Sequence, residues 1–172
     1  MSAANYAAAC KQRAFESLSN RGTVQFHRSF SMDNITRAES CRVNVEVPIA
    51  ELLCVQNQIV SSVFCTINRY GTIVALGAWD MGFDDAVPPT MITSRHWRKE
   101  AIPLPNEVLK IRGKAAVEFG VPQLQYVVTV ERANVNTLVA IGFLSLRLTT
   151  PSLPATIAAP TAPQDASTPE DE

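Results

Sequence analysis

The chain has 172 residues, 15 Lys and Arg against 16 Asp and Glu, and a hydrophobic share of 47%. That is one domain's length, apolar enough to bury a core without disulfide or metal staples, which excludes a small disulfide scaffold and wholesale disorder. The balanced charge averages two unlike parts: residues 151–172 hold five of the eleven prolines and four acids with no base, leaving fifteen bases against twelve acids, a net +3, in residues 1–150.

Ala3 to Leu18 reads as a short leading helix, set off as residues 1–20. Lys11, Arg13, Arg21 and Arg28 against the lone Glu16, among many Ala and Ser, give this end a faint likeness to a mitochondrial presequence, whereas the pattern of a secretory signal is missing. An intracellular protein is expected, with cytosol and mitochondrion both open. Val24 and Phe26 open a first strand that carries His27, and Val43, Val45 and Val47 alternate with Arg42, Asn44 and Glu46 in a clear half-buried one.

From Gln56 to Trp79 charge is sparse, and Ile59, Val63, Ile67, Tyr70 and Val74 recur at steps of four, four, three and four. That spacing puts one wide apolar stripe on a long helix. Ser61, Ser62, Thr66, Asn68 and Arg69 in its span argue against a transmembrane segment. Gly82 and the Pro88-Pro89 pair lie in the stretch that ends it, where Trp79, Met81 and Phe83 read as core.

Met91 to Trp97 gives a weaker strand. Period-two alternation then returns in Leu109 to Val117, Leu124 to Val130 and Leu144 to Leu148, the last after the more apolar Leu138 to Phe143. Gly120-Val121-Pro122 and Asn134-Val135-Asn136 separate these three as short turns, so they form an antiparallel meander. Residues 151–172, rich in Pro, Ala, Ser and Thr, read as a disordered acidic tail. The order is helix, two strands, long helix, four strands: an α+β wrap over residues 21–150, with about six antiparallel strands covered by one long central helix.

No metal or redox motif stands out. Cys10, Cys41, Cys54 and Cys65 lie 31, 13 and 11 apart without a C-x-x-C pair, and read as reduced, mostly buried thiols. Arg95, Arg98 and Lys99 read as a solvated strand end, and a net +3 without a Lys/Arg run is no nucleic-acid footprint. His27 and His96 read as locally hydrogen-bonded or solvent-facing.

Several features together carry a resemblance: the leading helix with Arg13-Ala14-Phe15-Glu16, a hairpin ending at Val47-Pro48, a long helix beginning near Gln56, and the closing meander through Ala140-Ile141-Gly142. In this layout, over about residues 5–150, the chain resembles the hotdog-fold thioesterase superfamily of small acyl-CoA thioesterases. The resemblance implies a homodimer or higher oligomer, an acyl-CoA ligand and no cofactor. It also implies a site at the start of the long helix, where a His-Gly-Gly triplet brings the thioester carbonyl to backbone N–H groups. An Asp seven residues beyond the last glycine, acting from the facing subunit, serves there as base or nucleophile.

Laid on that pattern, Gln56 takes the His position, Asn57 and Gln58 the two glycines, and Cys65 the Asp, while Ala50 falls where many relatives have Asn. Gln56, Asn57 and Gln58 are the candidate substrate-binding residues, and Cys65 is the catalytic candidate by position. As a residue type, Cys65 reads as a small apolar core residue. Every chemical position departs from the family pattern, so three readings stay open. One is a thioesterase with a relocated carboxylate, for which Glu51, Asp80, Asp84 and Asp85 are the nearby acids; as residues these also fit loop charges and capping groups. The others are a non-catalytic acyl-CoA or lipid-binding protein and a structural subunit of a larger assembly.

Overall fold

The computed structural model describes residues 2–52, 60–83 and 90–148. The acidic tail, Gln56, Asn57, Gln58, Cys54, Asp84 and Asp85 lie outside the described residues.

The first helix, α1 (Ala3–Asn20), starts where the Ser2 side chain accepts the Asn5 N–H. It buries Cys10, Ala14 and Leu18, one face at steps of four. Gly22, at φ 99°, ends it in the left-handed conformation that glycine adopts most cheaply. The strand expected at Val24 and Phe26 is instead a 3-10 turn, Thr23–Gln25. Thr23 is buried with its hydroxyl donating to the Leu18 carbonyl (3.0 Å), while Val24 is exposed, so local capping overrides the apparent alternation. His27 follows this turn and is on no strand.

Six strands make one antiparallel sheet: β1 (Ile35–Glu39), β2 (Arg42–Pro48), β3 (Thr90–Lys99), β4 (Val108–Glu118), β5 (Val121–Arg132) and β6 (Val135–Leu148), in the order β1-β2-β4-β5-β6-β3. The hairpin partner of β2 is thus β1, with a register shift between Ile35 and Arg37. Only Ile35 is buried in β1, so five residues with an irregular pairing show no period-two pattern. The two meander turns are tighter than the sequence suggests. Phe119-Gly120 and Ala133-Asn134 all have positive φ, as two-residue turns matched to strand twist require, so Val121, Pro122, Val135 and Asn136 belong to strands.

The long helix, α2 (Val60–Gly82), lies against the sheet and buries Phe64, Ile67, Tyr70, Val74, Ala75, Ala78 and Trp79. They meet Val43, Val45 and Val47 of β2, Leu109 and Ile111 of β4, and Leu124, Tyr126 and Val128 of β5 in one core. Helix α1 covers the C-terminal part of α2 on another side. Arg13 donates to the carbonyls of Asp80 (2.8 Å) and Phe83 (3.2 Å), serving acceptors that a helix end leaves open. No described helix is long and apolar enough to cross a membrane.

Glu107 fastens the base of the meander. Its carboxylate accepts two bonds from Arg132 at 2.7 Å and one from the Leu104 N–H at 2.6 Å. The Arg132 hydrogen bonds hold the Glu107 carboxyl below the usual glutamate range. A lowered folded-state pKa stabilises the protein above the unfolded value, and that stability fades as pH falls through the folded one. Thermal melts from pH 7 down to pH 3 are therefore expected to show a larger drop in Tm for the wild type than for Glu107→Gln. Parallel curves would remove Glu107 from the acid response.

Candidate functional site

On α2 the side-chain pattern leaves one side open. Among helix residues whose side chains are described, only Cys65 and Arg69 are exposed, and their spacing of four puts them on one stripe. Beside that flank runs β3, an outer strand of the sheet. Arg95 donates to the Thr72 hydroxyl of α2 (2.7 Å), and the Lys99 ammonium lies 5.8 Å from the Phe64 ring centroid and 5.7 Å from that of Trp97. Alternation along the strand thus turns Arg95, Trp97 and Lys99 toward the helix. Arg98 points the other way and pairs with Glu100 (2.6 Å), and His96 lies on the outer face with Ile141 and Phe143. The trio read as a solvated strand end is therefore divided between two faces.

Beneath the flank sits a buried polar network. The Tyr126 hydroxyl donates to Asn68 Oδ1, and the Thr72 hydroxyl donates to the Asn68 carbonyl (2.7 Å). Burial pushes the Tyr126 phenol up to about 12 against a smaller opposing pull from Arg95, so it stays a donor at neutral pH. Burial likewise raises the Tyr70 phenol, whose hydroxyl has no hydrogen-bond partner among the described residues. Neither tyrosine is placed to act as a base.

Cys65 is a free, exposed thiol, so the core position that suits its residue type is not where it stands; Phe64 and Thr66 beside it point inward instead. A helical stripe turns by about 100° per residue, and the apolar character of a cysteine does not say on which side of the stripe it falls. Cys10 is buried as expected, and Cys41 is half-buried at the β1–β2 turn. Among the described residues no group of His, Cys, Asp and Glu could hold a metal ion.

The acids around α2 have unlike surroundings. Asp80 accepts a bidentate pair from Arg21 at 2.7 Å and the Ser17 hydroxyl at 2.6 Å, tying α1 to α2 far from the helix start. Glu51 ends the 3-10 turn Ile49–Glu51 that follows β2, and its Oε2 accepts from His27 Nε2 at 2.9 Å. His27 is 1% exposed. Ala50, at the position of the relatives' Asn, is exposed on the same turn.

Sequence reasoning missed that Arg95 and Lys99 turn toward the helix that exposes Arg69, because these residues come from separate elements. It also missed the Tyr126–Asn68 pair, although Gly71 and Gly142, both pressed against the Tyr126 ring, were a legible sign of close packing.

No protein-family model matches the sequence, and no curated protein does. Solved structures do match in shape. A thioesterase family protein from Silicibacter pomeroyi superposes with a TM-score of 0.57 at 9% identity, over 78% of this chain and 94% of that one. A hypothetical thioesterase from Streptococcus pneumoniae, crystallised with coenzyme A, gives 0.52 at 11% identity over 78% and 96%. The E. coli PaaI protein from the phenylacetic acid degradation operon gives 0.53 at 8% identity over 82% and 96%. These likenesses show that the chain has the hotdog fold.

Proposed function

We propose that this chain is a thioesterase-superfamily hotdog protein that takes a fatty acyl-CoA along the open flank of α2. The observation that carries the reading is that Arg95 and Lys99 of β3 reach α2 at Thr72 and Phe64, on the helix that also exposes Arg69. The phosphates of coenzyme A are the kind of anion such cations attract, and one structure of the same fold is a hypothetical thioesterase crystallised with coenzyme A. Gln56, Asn57 and Gln58 then supply side-chain and backbone N–H groups to the thioester carbonyl. The outer edge of β3, which pairs with no further strand among the described residues, is the natural place for a second copy to extend the sheet, so the working form is a homodimer.

Two measurements on the full chain test this. Palmitoyl-CoA at concentrations far above a useful dissociation constant is expected to raise Tm, since a ligand of the native state stabilises it by mass action. Free thiol is expected to appear from a panel of short and long acyl-CoAs. A raised Tm without thiol release would leave a non-catalytic binding protein, and neither signal would leave the structural-subunit reading. Cys65→Ser divides the chemistry: a thiol nucleophile would lose turnover, whereas attack by water leaves it unchanged, which is the expected result. Light scattering should give twice the chain mass.

A further inference from the structure

The outer face of the sheet, turned away from α2, carries cations that the acyl-CoA reading does not use. Alternation sets Val43, Val45, Leu109 and Ile111 in the core and puts Arg42, Asn44, Arg112 and Lys114 on the other side. In the β2–β4 ladder Arg42 stands directly opposite Lys114, and Arg112, opposite Asn44, is its diagonal neighbour. Like charges so placed repel one another, a cost that an anion between them removes.

The nearby acids do not supply that anion. Glu39 faces Arg42 across the β1–β2 ladder but pairs with Arg37 of its own strand at 2.7 Å, and Glu131 pairs with Lys110 at 3.0 Å. Arg42, Arg112 and Lys114 form no ion pair or side-chain hydrogen bond among the described residues, whereas Arg21, Arg98 and Arg132 each hold a carboxylate. The three unpaired cations line a groove of about 470 Å³ in which Glu46 is the one acid among the described lining residues.

The same chain carries a complementary segment: residues 149–172 contain Asp165, Glu170, Asp171 and Glu172 and no base. Phe143, Gln125, Lys114 and Arg42 form one row across β6, β5, β4 and β2. Three strand spacings separate Phe143 from Arg42, about 14 Å, and the end of β6 at Leu148 is about 17 Å further along its strand, so strand end and groove lie about 22 Å apart. Asp165 is 17 residues beyond Leu148, and that length of chain spans up to about 56 Å, so all four acids reach the groove with slack. A tether of this range gives an effective concentration on the order of millimolar, at which a few exposed ion pairs suffice.

We propose that the acidic segment 165–172 docks in the outer-face groove of its own chain, its carboxylates pairing with Arg42, Arg112 and Lys114. The docked segment relieves the repulsion between Arg42 and Lys114, on the face of the sheet opposite the acyl-CoA flank.

Carbodiimide cross-linking of the full chain tests this, because it joins carboxylates to amines and the chain has four lysines: Lys11, Lys99, Lys110 and Lys114. At low ionic strength, peptide mass spectrometry is expected to find segment 165–172 joined to Lys114 at least about fivefold more often than to Lys11 or Lys99, in a product with the mass of one chain less one water. In about 0.5 M NaCl, where screening confines attraction to about 4 Å, the Lys114 link should fall at least about fivefold. The double variant Arg42→Gln/Arg112→Gln keeps the Lys114 probe and should lose the link by a similar factor with Tm held; the wild-type comparison of sites and salt decides the matter should that variant not fold. Equal joining to Lys99 and Lys114, a Lys114 link that survives salt, or links found only at the mass of two chains overturns the docking. Absence of Lys114 links overturns it as well, and a Tm raised by inorganic polyphosphate would then assign the groove to an external anion.

Discussion

Tyr126→Ala is expected to lower the unfolding free energy by about 3–5 kcal/mol, the loss typical of deleting a large buried aromatic. Tyr126 is 1% exposed, and its ring is wedged between the main chain of α2 at Gly71 and that of β6 at Gly142. Truncation therefore opens a cavity with backbone walls on two sides, which collapse poorly. Urea denaturation of wild type, Tyr126→Ala and Tyr126→Phe separates ring from hydroxyl. The Phe variant keeps the wedge but leaves Asn68, which is 8% exposed, without its donor, a loss of about 1–3 kcal/mol. A Phe variant as stable as wild type would show that the hydroxyl bond adds nothing net, and an Ala variant within about 1 kcal/mol would remove Tyr126 from the centre of the core.

Two glycines of the same helix should respond differently to one added methyl. In an exposed or roomy helix site, Gly→Ala gains up to about 1 kcal/mol of propensity. At Gly77 the new carbon would stand 2.7 Å from Leu18 Cδ2, the far end of a side chain that can turn aside, so Gly77→Ala should lie near neutrality. At Gly71 it would strike the body of the Tyr126 ring, which Gly142 blocks from behind. Gly71→Ala is thus expected to cost about 1–3 kcal/mol despite its better propensity. Paired thermal melts check the contrast, and equal Tm values would contradict it.

Much of the architecture was legible in one dimension. The alternation in β2, β4, β5 and β6 and the three-four spacing of α2 identify half-buried strands and a central helix, because burial on one face imposes those periods whatever the partner. The pattern failed where burial was not the organising force. Val24 and Phe26 looked like a strand because two apolar residues flank a polar one, yet the Thr23 hydroxyl and Gly22 turned the segment into a 3-10 turn. Strand β1 was hidden for the converse reason: it is short and irregularly paired, and it owes its existence to β2.

The site was less legible than the fold. Spacing alone places Cys65 and Arg69 on one helical face, but whether that face looks outward depends on where α1 and the sheet stop covering α2. Nothing in the chain's order brings Arg95 to Thr72, Lys99 to Phe64 or His27 to Glu51; these pairs arise from strand order and from a turn that folds back on the core. Periodicity is a local record of which side of an element avoids water, so elements and their buried faces could be read directly from residue order. The neighbours of a polar side chain are set by long-range packing, so the turn of Arg95 and Lys99 toward α2, the sequestered Asp80 and the anchored Glu51 emerged only when the elements were assembled.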